Sequence, residues 1–408
     1  MTVMRAAAFA ALLLVLAGCG SAASQTSSTL GSEAASLVPS NAEAFVDVDT
    51  HFDSQQWQAL ADLAGPKLDL ARLKAAAGDA LSLAVLQDGT PVAFAKTHDE
   101  AKLRRLATSF DKGGEHYTVQ SINGWSVVAD SQQAFAQVKA TGSGKSLADN
   151  ASFRAAEATL NGNSLATAFL NGQELKELGQ AKWFAARVTG DANALQLDVH
   201  AESLTPAPGV YKPMLLRDVP SGAIAAVSFK DLDKPLAQLH GADRYLGVPV
   251  AKLLPALRGE GVFYVLQGTL VPTFVLEVQS PDPASAEAAL HTVAAQIKQH
   301  AGGAIVVRVS RYGSRLVLTN APPSAPTSGG SLVDDQPFKD ALAAAGAPDR
   351  VTFLAYADVQ RLKPLLELLT QLAGGSGSSS QPLAKLDRID SVVAFGTPSR
   401  LVVRAALK

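Results

Sequence analysis

Short blocks of this chain occur twice, in the same order, about 180 to 190 positions apart. "VPSNAEAFVDVD" from Val38 returns as "VPSGAIAAVSFK" from Val219, and "VLQDGTPVAF" from Val85 returns as "VLQGTLVPTF" from Val265. "NGWSVVAD" from Asn123 has a weaker echo in "YGSRLVLT" from Tyr312. "SLADNASFR" from Ser146 returns as "SLVDDQPFK" from Ser331, and "ELKELG" near Leu175 as "RLKPLL" near Leu362. Each copy closes on a hairpin pattern, the first around Gly190 and the second around Gly396. One such match means little, but a shared order is hard to reach by chance. Units of this size are too long for a solenoid repeat, so the pattern predicts two tandem related units. They span 36–203 and 213–408, joined by a proline-containing linker over 204–212.

Both copies carry the same local signals. Ala44, Val46 and Val48 alternate as one face of a strand. Trp57, Leu60 and Leu63, then Leu70 and Leu73, recur at helical spacing. "LSLAVLQDGTPVAFAK" and "YTVQSINGWSVVAD" read as hairpins, the second turning at Asn123-Gly124. Asp99 stands where an N-cap would, ahead of a stripe of Leu103, Leu106 and Phe110. Strands joined by hairpins with helices between them predict an α+β fold. Each unit is expected to be a mainly antiparallel sheet with helices packed on one face.

The N-terminus carries an address. Arg5 precedes an apolar run from Ala6 to Leu16, too short to span a bilayer and suited to a signal-peptide core. The run ends in Leu16-Ala17-Gly18-Cys19, which resembles the lipobox of bacterial lipoproteins. That resemblance implies a signal peptide over 1–18, cleavage before Cys19 and a lipid on its sulfur. Cys19 is the only cysteine of the 408 residues, so no intrachain disulfide can form. Residues 19–35 are small and polar and predict a flexible tether reaching roughly 20–25 Å.

Composition narrows the partners. A formal net charge of −2 becomes −3 once Arg5 leaves with the signal, which gives no electrostatic case for nucleic acid. Apolar content of 47% supplies ample core, and the scarcity of aromatic residues argues against a sugar-stacking surface.

Several motifs resemble chemistry and have simpler readings. "GSGKS" over 142–146 ends like a phosphate loop, but Lys139 stands where the first glycine is needed and a helical stretch precedes it. Gly330 replaces Lys145 in the second copy, so a flexible loop explains both. Asp149 or Asn150, and Asp334 or Asp335, read as helix caps ahead of Phe153 and Phe338. Ser109 and Lys112 match Ser-x-x-Lys without the companion motifs of penicillin-binding proteins. The seven histidines (His51, His98, His116, His200, His240, His291 and His300) show no metal-ligand spacing. Asp47 and Asp49 alternate on one strand, and a solvated strand edge accounts for them, since Ser228 and Lys230 stand at the matching places. Asn150 fits a glycosylation pattern that a bacterial lipoprotein normally ignores. Trp57, Trp125 and Trp183 are scattered and read as core or turn packing.

Lipobox, tether, "SLVPSNAEAFVDVD" and "SLADNASF" ahead of an "ATAFLNG" strand together resemble an uncharacterised family of bacterial envelope lipoproteins that carries a domain of unknown function. The resemblance implies an extracytoplasmic protein held at the cell membrane or envelope through Cys19. It carries over no catalytic residue, cofactor or metal ligand. The leading expectation is a non-catalytic binding or scaffolding role toward an envelope protein. The alternatives are a carrier of a hydrophobic, lipid-like ligand in a groove of the sheet or between the units, and an enzyme whose site is assembled from distant residues.

Overall fold

The computed structural model describes residues 32–64, 68–111, 116–142, 144–174, 181–191, 193–204, 209–238, 250–268, 272–300, 306–321, 330–372 and 385–408. Two compact units result. The first comprises residues up to Ala207 together with Ser399–Leu407, and the second runs from Pro208 to Pro398 with Lys408. The strands are β1 (Ala44–Val48), β2 (Leu81–Val85), β3 (Pro91–Ala95), β4 (Thr118–Ile122), β5 (Trp125–Ala129), β6 (Ala166–Asn171), β7 (Ala181–Asp191), β8 (Ala194–Ser203), β9 (Ala225–Lys230), β10 (Glu260–Leu266), β11 (Thr273–Gln279), β12 (Arg308–Tyr312), β13 (Arg315–Thr319), β14 (Phe353–Asp358), β15 (Ile389–Thr397) and β16 (Arg400–Leu407).

In the first unit the sheet order is β4-β5-β3-β2-β1-β6-β7-β8-β16, antiparallel throughout. In the second it is β12-β13-β11-β10-β9-β14-β15, again antiparallel. Counted from the first strand of each unit, the orders agree strand for strand through β7 and β15. The α+β class with a mainly antiparallel sheet is therefore present in both. The final strand departs from the sequence boundaries: β16 falls in 213–408 by sequence, yet pairs with β8 over seven registered residues of the first unit.

Helices on one face only is corrected by the packing. In the first unit Phe45, Phe94, Phe169 and Ala185 lie beneath α-helical Phe135, Val138 and Phe153. Those residues come from α4 (Gln132–Ala140) and α5 (Ala151–Glu157), counted after α1 (Gln55–Ala64), α2 (Leu70–Ala77) and α3 (Glu100–Thr108). On the opposite face Val46, Val48, Ala168 and Val188 meet Trp57 and Leu60 of α1 and Leu70 of α2. Leu103 and Ala107 of α3 cover Ala95, Val119 and Val128. The reason is legible in β1, where Ala44, Phe45, Val46 and Val48 are all buried, so both faces need cover. The second unit behaves alike. Ala286 and Leu290 of the helix Pro283–His300 pack on Leu316 and Leu318, while Phe338 of the helix Gln336–Ala345 meets Tyr356 edge-on at 5.1 Å.

Most local signals hold. Asn123 and Gly124 take φ of 50° and 79°, the paired left-handed geometry of a tight hairpin. Asp99 accepts the Lys102 amide as an N-cap. Phe110, read as the end of the α3 stripe, lies beyond Thr108 and is 58% exposed, because the helix stops before its next turn.

The recurring blocks turn out to bind one another. Leu147 donates to the Val38 carbonyl at 2.7 Å, and Leu332 to that of Val219 at 2.8 Å. Ser40 donates to the Lys145 carbonyl and Ser221 to that of Gly330. Pro39 bridges Ser146, and Pro220 bridges Ser331.

Trp57 is fully buried and lies 4.9 Å from Phe52 between ring centroids. Its ring nitrogen has no hydrogen-bond partner among the described residues, so the indole acts as apolar volume. Trp57→Ala is expected to cost about 3–5 kcal/mol, and Trp57→Phe less than about 2 kcal/mol, read from urea unfolding midpoints.

Candidate functional site

Several polar groups that enter a buried layer lie in a row across the first unit. Ser82 on β2, Asp47 on β1, Thr167 on β6, Arg187 on β7 and Asp198 on β8 are successive cross-strand neighbours. Ser82, Thr167 and Asp198 are buried, and Asp47 is half-buried. Antiparallel neighbours share a face, so the row occupies the side that carries Phe45 and Phe169. Asp47 accepts a 2.6 Å hydrogen bond from Ser82 Oγ. The reading of Asp47 and Asp49 as a solvated edge is thereby corrected. β1 is flanked on both sides, and Asp49 lies past its end, 2.6 Å from His51 Nδ1.

Asp198 ends the row, with no solvent exposure. Arg400 on β16 grips it with Nε and Nη2, the latter at 2.9 Å. Arg187 Nη2 donates at 3.1 Å and Gln196 Nε2 at 3.3 Å, and His200 Nε2 lies 3.8 Å away. Burial alone would raise the carboxyl, but the hydrogen bonds from Arg400 and Arg187 outweigh it and hold Asp198 below its ordinary value. Burial pushes the His200 imidazole down, against the pull of Asp198. Asp198 is thus an ionised, fully occupied acceptor. A general base needs a free lone pair within reach of a substrate, and a nucleophilic serine needs such a base. Ser82 has a carboxylate partner and no imidazole between them. The arrangement fastens β7, β8 and β16 to one another.

Sequence reading did not find Asp198, Arg187 or Arg400. The available signal was an acid between Leu197 and Val199 at an inward position. Its main partner lies 202 residues away.

The sequence candidates fall out as follows. Cys19 and Lys112 lie outside the described residues. In the "GSGKS" loop, Asp149 Oδ2 accepts from Gly144 N at 2.8 Å, Ser146 N at 3.3 Å and Ser146 Oγ at 2.6 Å. The chain's own carboxylate occupies amides that a phosphate loop keeps for its ligand, and hydrogen bonds from Ser146 hold that carboxyl below its ordinary value. Asn150 caps α5 through Ser152 N and Phe153 N. Asp335 departs from the capping expectation: its carboxylate accepts Ser221 Oγ and Gly222 N instead, tying the turn before β9. Ser109 Oγ donates to the Leu106 carbonyl at 2.6 Å. Trp125 and Trp183 are buried, and Trp183 donates to Glu202 at 2.8 Å. His98 and His116 each pair with one aspartate, Asp79 and Asp111, and no group of three or more metal-binding side chains occurs among the described residues. No helix among them is long and apolar enough to cross a membrane.

No family model and no curated protein matches the chain. Among solved structures it is similar to one described as crystal form I of TP0453, at 12% identity over 72% of this chain and 92% of that chain, with a TM-score of 0.16. A score that low carries no statement about fold or function.

Asp198→Asn removes one charge and leaves two guanidinium groups without their counter-ion. The expected cost is about 3 kcal/mol. Because the folded carboxyl sits below 3.8, its contribution is present above that pH and is lost as pH falls through the lower folded value. Chemical denaturation of wild type and variant should converge toward the acid end of that range.

Proposed function

We propose that this chain is a lipid-anchored extracytoplasmic lipoprotein with a non-catalytic binding or scaffolding role at the cell envelope. The carrying observation is Leu16-Ala17-Gly18-Cys19 at the end of a short apolar run, followed directly by a small, polar tether. The body supports the reading indirectly, because the buried Asp198 is engaged by Arg187 and Arg400. The proposal includes descent of the two units from one domain. Equal strand order through seven strands and the matching bridges of Val38 with Leu147 and Val219 with Leu332 favour it. Membership in the envelope lipoprotein family with a domain of unknown function belongs to the same proposal.

The anchor is tested by Cys19→Ser. Metabolic labelling with a tagged fatty acid should mark the wild-type protein and leave the variant unlabelled and unprocessed. A labelled variant places the lipid elsewhere and removes the reading.

One observation favours a second reading, a carrier of a hydrophobic ligand. Val227 on β9 and Phe263 on β10 are cross-strand neighbours, each 38% exposed. In the proposed duplication they match Val46 and Leu83, and an ungapped match of 51–85 to 231–265 sets Ala237 against Trp57. The first unit fills this place with an indole and buries Val46 to 1% exposure; Ala237 is exposed and too small to do so. If an aliphatic ligand supplies the missing cover, protein taken from its own host and weighed by native mass spectrometry should carry a lipid-sized adduct. Phe263→Glu should lose it. A bare wild-type mass ends this reading and leaves the first.

A further inference from the structure

The second unit begins with a short strap laid over its sheet. Tyr211 exchanges two backbone hydrogen bonds with Val351, both 2.9 Å, and its hydroxyl meets Ser228 Oγ at 2.9 Å. Leu215 and Leu216 are buried in a single turn, Leu215–Arg217, and the Leu215 amide donates to Glu260 Oε1 at 2.7 Å. Asp218 closes the turn, and the buried Val219 then leads into the bridge with Leu332.

Next to this strap the charges do not balance. Glu277 on β11 is 3% exposed and pairs with Arg315 on β13. The same guanidinium pairs with Asp218 of the strap at 3.2 Å. The cross-strand neighbours of Glu277 are Val262 and Val317, which offer it no hydrogen bond. On the same face of β10, Glu260 is engaged by the strap amide and Tyr264 is buried. One cation therefore serves two carboxylates, one of them inside the protein; the third acid on this face, Glu260, has Lys230 as its cross-strand neighbour.

We propose that Glu277, Arg315 and Asp218 form a proton-controlled latch that pins the strap, residues 211–219, to the sheet of the second unit. A buried, under-compensated carboxylate is the group that takes the proton. With Glu277 neutral, the charge of Arg315 is balanced by Asp218, and the strap is held. When the proton leaves to water, Glu277 draws on the same guanidinium and repels Asp218, and the strap loses its share. Burial pushes Glu277 up to about 7, Arg315 opposing and Asp218 adding to the rise. The folded value lies above the ordinary 4.5, so the stabilisation is fully present below 4.5 and is lost as pH rises through about 7. The latch does not depend on the anchor or on any ligand.

The test is backbone hydrogen exchange on the full mature chain, with protection of Leu215 and Leu216 measured relative to intrinsic rates at about pH 6 and pH 8. Protection in the wild type should fall by roughly tenfold or more across that interval, while Val127 in the first unit stays level. Glu277→Gln should hold the strap at its acid-side protection at both pH values. Asp218→Asn keeps Glu277 but removes what the latch acts on. Its strap should be weakly protected throughout, without the step. A level wild-type strap, or a step that survives in either variant, overturns the latch. If Glu277→Gln fails to fold, Asp218→Asn decides alone.

Discussion

The constraint behind the rest of the structure is that the central strands are buried on both faces. β1 has apolar side chains pointing both ways, Phe45 to one layer and Val46 and Val48 to the other. Helices must then cover both sides, and a polar side chain that enters either layer loses most of its water. Burying an unpaired carboxylate costs far more than one good pair returns. Asp198 is tolerated because two arginines and a glutamine reach it. Asp47 is tolerated because Ser82 does. In this row the charged members are held by partners on neighbouring strands, as two-sided burial requires.

The same logic removes the apparent nucleotide loop. Backbone amides at a glycine-rich bend attract an anion of either kind. In this chain Asp149 supplies that anion five residues from Gly144, within its own turn. The loop is built for a carboxylate it already has. The Ser-Leu-x-Asp recurrence also acquires a mechanical meaning, since its first residues bridge the Val-Pro-Ser block in each unit. Such partnerships select apolar and turn-forming residues, which are the types the repeats retain. The two units differ inside their layers as well: buried Trp57 stands against exposed Ala237, and half-buried Asp47 against buried Ser228. Those differences, more than the shared blocks, are where a specific binding role would lie.

Much of the local structure was legible. Hairpins at Asn123-Gly124 and Asp88-Gly89, the Asp99 cap and the helical spacing of Trp57 and Leu60 all follow from short-range chemistry. Alternation at Ala44, Val46 and Val48 reads as one buried face, which leaves Phe45 unexplained and puts the helices on one side. Asp47 then looked like a strand edge, because position within a sheet depends on which strands come to lie beside it. Phe110 was added to a stripe by spacing alone, although the helix ends at Thr108. Nothing local marked Glu277 as different from other strand acids, because its burial and its shared arginine come from β13 and the strap.

The sequence by itself determined the elements, their hairpin connections and the α+β class, because turn geometry, capping and hydrophobic period act over a few residues. It also carries the N-terminal apolar run and the cysteine on which the envelope proposal rests. Only the tertiary structure decided that both faces of each sheet are covered, and that the last strand closes the first unit. It alone put one arginine between Glu277 and Asp218. Those outcomes depend on contacts between residues tens to hundreds of positions apart, such as Asp198 with Arg400, and a local pattern holds no information about which distant charge will answer it.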